Sequence, residues 1–271
     1  MPLLVWIVLF AALGGIASAA LAVMFLWIPA ARAALVLPHF VSFATGALLG
    51  AGLLALLPEA IAGAGVAASH VIGLTLIAGL GVFFVIEKLV LWWHVRGEEE
   101  TADEHGQPHA GHSHAGLSRR RAHASGALVL VGDSIHNALD GVLIAAAFLT
   151  SVSLGLVTTF AVAAHEIPHR VGDFAILVHS GLSRGRALWL NLATGLASIV
   201  GAVAAYYGLR RALGILPYAL AFAAAGFLYI AVAGLIPGLH RRADPRSSAV
   251  QVVLIGLGIA VVSLAERLAG R

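Results

Sequence analysis

Two short stretches of the sequence carry side chains that can bind a metal ion. Residues 133–141 read DSIHNALDG, and residues 165–173 read HEIPHRVGD. The second stretch begins with H-E-x-x-H, a pattern that places two histidines one helical turn apart on a zinc ion. In a soluble chain this pattern would indicate a metalloprotease with Glu166 as the general base.

Each stretch places its polar residues on one face of a helix. In the first stretch they stand at positions i, i+3, i+4 and i+7, namely Asp133, His136, Asn137 and Asp140. In the second stretch the spacing is i, i+4 and i+8, with Glu166 beside His165, His169 and Asp173. Residues at these spacings share a helix face. The sequence therefore predicts a polar stripe on each of two otherwise apolar helices.

The composition places these helices in a lipid bilayer. The chain has 271 residues, of which 60% are hydrophobic and 11% are charged, and its mean hydropathy is +0.96. These values exclude an ordinary soluble domain. A spanning helix needs about 20 apolar residues. We predict an all-α integral membrane protein, one bundle of eight spans at about 3–28, 38–64, 70–95, 124–149, 154–181, 186–209, 215–239 and 248–268.

The two polar stripes are predicted to lie at the same depth. At 1.5 Å per residue, His136 lies roughly 18 Å and His165 roughly 17 Å from the starts of their antiparallel spans, near the middle of a core about 30 Å thick. We expect the stripes to face each other and to supply six ligands: His136, Asn137, Asp140, His165, Glu166 and His169. Cysteine is absent, so the donors are nitrogen and oxygen. Such a site favours Zn²⁺, Fe²⁺, Mn²⁺ or Cd²⁺ over Mg²⁺.

Other ionisable residues of the spans allow more than one interpretation. A single histidine within a span can be a hydrogen-bond donor in helix packing. Convergence of six polar groups at one depth favours a cation, because each buried charge needs a partner. Asp133 and Asp173 lie farther from the midplane, so we expect a polar pathway there. Glu59 is either an entrance carboxylate or an exposed interfacial residue.

The distribution of arginines predicts the orientation. With the N-terminus outside, the inner side holds ten arginines and the outer side four; the inner ones are Arg32, Arg96, Arg119, Arg120, Arg121, Arg184, Arg186, Arg241, Arg242 and Arg246. This bias follows the positive-inside rule. We therefore expect both termini outside and segment 96–123 in the cytoplasm. The isoelectric point of about 9.8 then reflects charge on the inner face and does not indicate a nucleic-acid partner.

Segment 96–123 is the one long polar stretch, RGEEETADEHGQPHAGHSHAGLSRRRAH. Its composition cannot bury a core and is typical of disorder. It is either a solvated linker or a weak cytoplasmic metal-capturing loop that uses His105, His109, His112 and His114.

The motifs resemble those of a known family. HNALDG followed by HEIPHRVGDFAILVHSG is similar to the paired motifs of the ZIP (Zrt/Irt-like protein) metal transporters, in the branch with a histidine-rich inner loop. The similarity extends to LLPEA at 56–60 and AAGFLYIAVAGLIP at 224–237, so it covers essentially the whole chain. It implies an eight-span transporter of the cell membrane, usually a homodimer, and not an enzyme. Its implied substrate is zinc or a related divalent ion, moved into the cytoplasm, with the six predicted ligands as the transport site.

The sequence departs from the family pattern at two site positions. The family usually has glutamate where Arg170 stands, and members with a two-metal centre have a glutamate where we align Ser198. Arg170 follows Glu166 by four residues and precedes Asp173 by three, so it can neutralise either carboxylate. These differences predict a weaker or single-metal site.

Two alternatives to transport remain at this stage. Site-2-type proteases combine H-E-x-x-H with an L-D-G aspartate, and this chain has L-D-G at 139–141. Here, however, L-D-G comes first and lies close to H-E-x-x-H, and Pro168 separates the two histidines of the latter motif. His136 and Asn137 would also be superfluous in a three-ligand catalytic site. The other alternative is a metal sensor that does not transport.

Overall fold

The computed structural model describes residues 2–20, 28, 30–103, 114–240 and 244–269, and helices account for nearly all of them. We number the helices α1 to α8. Three of them contain a π-helical segment: α1 (Leu3–Ala12, π-helical Leu13–Ala17), α2 (Ala30–Gly50, π-helical Ala51–Leu56, then Leu57–Ala64) and α7 (Leu216–Tyr229, π-helical Ile230–Leu235, then Ile236–Leu239). The others are α3 (Ser69–Asp103), α4 (His114–Thr150), α5 (Val152–His179), α6 (Arg184–Thr194 and Leu196–Leu209) and α8 (Pro245–Ala269).

A tight connection places α4 and α5 side by side. Only Ser151 separates the end of α4 from the start of α5. Its hydroxyl accepts a hydrogen bond from the backbone N–H of Leu154 at 3.1 Å, which caps α5. Since the chain reverses at this residue, the two helices run antiparallel and pack against each other. Both polar stretches thereby lie in one helix pair.

Helix α6 packs closely against α4 through glycine. A Cβ atom at Gly141 would lie 1.9 Å from the carbonyl oxygen of Ser198, and a Cβ atom at Gly201 would lie 1.9 Å from the carbonyl oxygen of Ala138. The two backbones are therefore in direct contact, as is common where small residues line a membrane helix interface. This contact brings α6 beside the polar stripe of α4.

The buried core lies where α2, α4, α5 and α7 meet. Most of its side chains are small or aliphatic, and its aromatic members are Phe148, Tyr206 and Phe227. Helices α3 and α8 lie at the periphery. Only 17% of the apolar stretch of α3 and 11% of that of α8 is buried, against 61% for α2. Their exposed apolar side chains suit contact with lipid.

Seven helices of the described residues are long and apolar enough to cross a membrane: α1 to α4 and α6 to α8. This confirms the predicted all-α membrane bundle. Helix α5 has 28 residues and is long enough, but Glu166, Arg170 and Asp173 reduce its hydropathy. The number of eight spans stays a prediction.

Helix α3 extends to Asp103 and α4 begins at His114, so residues 96–103 and 114–123 are helical where the sequence predicts disorder. Both stretches consist largely of residues that favour helix, such as Glu98–Glu100 and Arg119–Arg121. The rest of that loop prediction lies outside the described residues, as do residues 21–27 of the first predicted span.

Candidate metal centre

Four of the predicted ligands form one group between α4 and α5, which we call the central group: His136, Asp140, His165 and Glu166. Each offers one ligand atom, and these four atoms lie within 4.8 Å of one another. The two histidine Nε2 atoms are 3.2 Å apart. The Nε2 atom of His165 lies 3.5 Å from Asp140 Oδ2, and that of His136 lies 3.6 Å from Glu166 Oε1. Two nitrogens and two oxygens therefore converge at one place.

Two carboxylate oxygens of the central group have no hydrogen-bond partner among the described residues. They are Asp140 Oδ2 and Glu166 Oε1, and both are buried. Such atoms are rare in folded proteins, because a desolvated charged oxygen without a partner is costly. A divalent cation bound between the four ligand atoms would satisfy both oxygens at once.

A backbone contact orients His165 for metal binding. Its Nδ1 atom lies 3.1 Å from the carbonyl oxygen of Ala161, one turn earlier on α5. A carbonyl oxygen only accepts, so Nδ1 carries the proton and donates it. The lone pair of Nε2 then faces the central group, in the arrangement common to metal-binding histidines.

A second group lies beside the first and consists of Asp133, His169 and Asp173. Its three ligand atoms also lie within 4.8 Å of one another. The Nε2 atom of His169 is 3.4 Å from Asp173 Oδ2 and 3.8 Å from Asp133 Oδ1. The ring centroids of His169 and His136 are 5.1 Å apart, so the two groups are neighbours. The sequence predicts His169 as a ligand of the same site as His136 and His165. In the structure its Nε2 atom lies near the two aspartates, and its assignment to that site stays a prediction.

Arg170 lies between the two groups and is completely buried. Its Nε atom donates to Glu166 Oε2 at 2.6 Å, and Nη1 donates to Asp133 Oδ2 at 3.1 Å. Nη1 also contacts Asn191 and Thr194 of α6. The guanidinium therefore links α4, α5 and α6.

The amide of Asn137 is engaged by the same network. Its Oδ1 atom accepts a hydrogen bond from Nη2 of Arg170 at 2.6 Å, and its Nδ2 atom donates to Asp133 Oδ1 at 2.8 Å. Asn137 thus binds Arg170 and Asp133 and does not point its oxygen at the central group. Its assignment as a metal ligand stays a prediction.

The remaining predicted residues lie outside both groups. Ser198 is buried and packs against Gly141, the residue after Asp140. Glu59 is exposed in the last segment of α2, Leu57–Ala64. His105, His109 and His112 lie outside the described residues, and His114 is the first residue of α4.

Sequence reasoning missed the two residues of α6 that hold Arg170. Asn191 Nδ2 donates to the backbone oxygen of Arg170 at 3.0 Å, and both Asn191 and Thr194 are buried. A signal was present, since an asparagine within a spanning helix usually has a partner on another helix.

Comparison with known proteins decides the family. A family model described as ZIP Zinc transporter matches residues 96–266. The chain belongs to the ZIP family. Zinc transporter ZIP13 of Homo sapiens is 36% identical over 260 residues, an alignment that covers 84% of this chain and 70% of that protein. ZIP13 of Mus musculus is 35% identical over 257 residues, with coverage of 84% and 69%. Zinc transporter SLC39A7 of Rattus norvegicus is 40% identical over 151 residues, with coverage of 53% and 32%.

Membership of the ZIP family confirms the resemblance drawn from the motifs. ZIP proteins are transporters, so the H-E-x-x-H pattern of this chain belongs to a transport family and not to a protease family. The central group suits that role, because histidine nitrogens and carboxylate oxygens are the donors that zinc accepts in the absence of cysteine.

Proposed function

We propose that this ZIP protein carries zinc through the central group and releases it into the cytoplasm. The observation that carries the proposal is a pair of buried oxygens, of Asp140 and Glu166, for which the described part of the chain offers no hydrogen-bond partner. They face the Nε2 atoms of His165 and His136. Zinc as the transported ion is supported by the family and by the relatives ZIP13 and SLC39A7.

The donor set suits an ion that must bind and then leave. When ionised, Asp140 and Glu166 together balance the charge of one divalent ion. Glu166 offers only Oε1, since Arg170 holds its other oxygen. The carboxylate therefore binds through a single oxygen. The same donors accept Fe²⁺, Mn²⁺ and Cd²⁺, and a competition uptake assay at two pH values ranks these ions.

The family resemblance implies transport into the cytoplasm, and the arginine distribution supports the orientation of the chain that this direction refers to. The positive-inside rule places the arginine-rich connections of this multi-pass membrane protein in the cytoplasm, and both termini outside. Protons that compete for the histidine nitrogens would assist release. The histidines of segment 96–123 would then capture the ion, and two copies of the chain would form a homodimer, as the family resemblance implies.

The experiment is zinc uptake into proteoliposomes that contain the purified full chain. We expect His136→Ala and Asp140→Asn each to reduce uptake by about tenfold or more, because losing even a residue that supports a metal ligand costs 10–100-fold. The matched controls are His70→Ala and Asp244→Asn, which change exposed residues. Asparagine at 244 also retains the helix-capping oxygen for Ser247. Uptake that is unaffected by both central variants would refute the site.

The same preparation separates transport from the two alternatives. A metal sensor would bind zinc in detergent but show no uptake in wild-type liposomes. A protease would cleave a membrane substrate, and Glu166→Gln would abolish cleavage while zinc stayed bound. For a transporter, Glu166→Gln reduces both zinc binding and uptake.

A further inference from the structure

We propose that Asp133, His169 and Asp173 form a second zinc-binding site, which receives the ion from the central group, and that only one of the two sites is occupied at a time. This inference rests on the proposed transport function and specifies the next step of the ion's path.

The second group also contains a buried carboxylate oxygen that can bind a metal ion. Asp173 Oδ2 is buried and has no hydrogen-bond partner among the described residues, and Asp173 is 8% exposed. This oxygen lies 3.4 Å from Nε2 of His169. The side chain of His169 is 44% exposed, so the group is open on one side. One nitrogen and two oxygens can thus hold a zinc ion that still keeps water, as a temporary site requires.

On both helices, the residues of the second group lie on the same side of the central group. Asp133 lies three residues before His136, toward the start of α4. His169 and Asp173 lie four and eight residues after His165, toward the end of α5. At 1.5 Å per residue these offsets correspond to about 5–12 Å along the helix pair. Since α4 and α5 are antiparallel, all three residues lie toward the predicted cytoplasmic side.

Arg170 separates the two sites by binding one oxygen of a carboxylate from each. It holds Glu166 Oε2 and Asp133 Oδ2. The other oxygen of Glu166 faces the central group. The other oxygen of Asp133 faces His169 and also accepts a hydrogen bond from Nδ2 of Asn137 at 2.8 Å, which leaves it one lone pair for a metal ion. No carboxylate of these two is therefore free to bridge two metal ions. The arrangement is two separate sites with a fixed positive charge between them.

The charges explain single occupancy. When ionised, Asp133, Asp140, Glu166 and Asp173 each carry −1 and Arg170 carries +1, so the net charge is −3. One divalent ion leaves −1, whereas two ions leave +1 with three cationic centres close together. Repulsion between such charges is strong in a buried environment. Occupation of either site therefore disfavours occupation of the other, so one ion at a time passes through the two sites.

The test measures binding of Zn²⁺ and of Co²⁺, a spectroscopic probe for zinc sites, to the full chain in detergent. The wild type is expected to bind one ion. A central-site variant with His165→Ala and Asp140→Asn is expected to bind one ion as well, more weakly, with a changed Co²⁺ spectrum. Adding Asp173→Asn to that variant should abolish binding. His169→Gln, which changes a half-exposed residue, provides an independent second-site variant, and Asp244→Asn is the matched control.

Three results would overturn the inference. They are no binding by the central-site variant, unchanged binding after Asp173→Asn is added to it, and two ions bound by the wild type.

Uptake assays separate failure of this inference from failure of the proposed function. Asp173→Asn alone should keep zinc binding at the central group but lower proteoliposome uptake by about tenfold, comparable to the loss of a residue that supports a metal site. If wild-type liposomes take up no zinc, the proposed function fails while the binding series still tests the second site. Normal uptake by both Asp173→Asn and His169→Gln would refute the handover.

Discussion

Replacement of Arg170 by glutamine tests whether the guanidinium is the fixed cation of the metal centre. Arg170 is completely buried and binds one oxygen each of Glu166 and Asp133. Removing one partner of a buried ion pair costs about 3–5 kcal/mol, because the other charge stays buried without compensation. Glutamine retains hydrogen-bonding atoms but has no charge. We therefore expect metal-free Arg170→Gln to lose about 3–5 kcal/mol of stability.

Zinc should recover most of that loss. An ion that binds only the folded state stabilises it by about 2.7 kcal/mol at 100 times its Kd and by about 4.1 kcal/mol at 1,000 times its Kd. Without Arg170 the four carboxylates can balance two divalent ions. Two ions bound at 100 times their Kd would contribute about twice the single-site value. Zinc is thus expected to stabilise the variant about twice as much as the wild type.

The assay is thermal unfolding of the full chain in detergent, followed by the fluorescence of its 5 tryptophans with and without zinc. The matched control is Arg210→Gln, since Arg210 is exposed and its guanidinium contacts Tyr206 of the same helix at 3.0 Å. The control should unfold as the wild type does. The reasoning is refuted if metal-free Arg170→Gln is as stable as the wild type, or if zinc shifts both proteins equally.

Four further predictions follow from the site and its supports. Arg170→Glu, which places the family's usual residue, should raise the zinc stoichiometry to two ions; unchanged affinity and transport would contradict the role of Arg170. Gly141→Ala should prevent accumulation of folded protein, because its Cβ atom would lie 1.9 Å from a carbonyl oxygen of α6. The control Gly208→Ala should fold, because a Cβ atom there meets no other atom within 4 Å. Size-exclusion chromatography distinguishes the two variants. Zinc affinity measured by calorimetry should fall at lower pH, because protons compete for the histidine nitrogens. Since the chain has 0 cysteines, a single substitution to cysteine reports which side of the membrane a residue faces. An impermeant maleimide applied to intact cells should label Val152→Cys and Gly214→Cys, which are predicted to lie outside, but not Gly185→Cys, which is predicted to lie inside.

The polar stripes could be predicted from the sequence because both depend on local helix geometry. His136 and Asp140 are one turn apart, and so are His165 and His169, so their shared faces follow from the helical repeat alone. The pairing of the two stripes was also accessible, since a single residue connects α4 to α5. In the structure the ligand atoms of His136, Asp140, His165 and Glu166 lie within 4.8 Å of one another, and their role as metal ligands stays a prediction.

The division of the stripes into two groups could not be predicted, because it depends on contacts between residues distant in sequence. Arg170 was expected to pair with a carboxylate of its own helix, Glu166 or Asp173. In the structure it binds Glu166 and also reaches Asp133 on α4 and Asn191 on α6. The packing of α6 against α4 and α5 supplies the third side of this network, and single-helix periodicity carries no information about it.

Helix α5 shows why composition alone misjudges the element that carries function. Its ionisable residues lower its hydropathy, so α5 is not among the helices that are apolar enough to cross a membrane. Glu166 and Arg170 are nevertheless completely buried and form an ion pair inside the bundle. Its crossing is supported by its neighbours. Helix α4 ends one residue before α5 begins, and α6 begins only a few residues after α5 ends. If α5 did not cross, the start of α6 would lie on the same side as the end of α4, and Val152 and Gly185 would face the same compartment. The buried ion pair of Glu166 and Arg170 thus makes acceptable a crossing that hydropathy would reject, because each of these two charges balances the other.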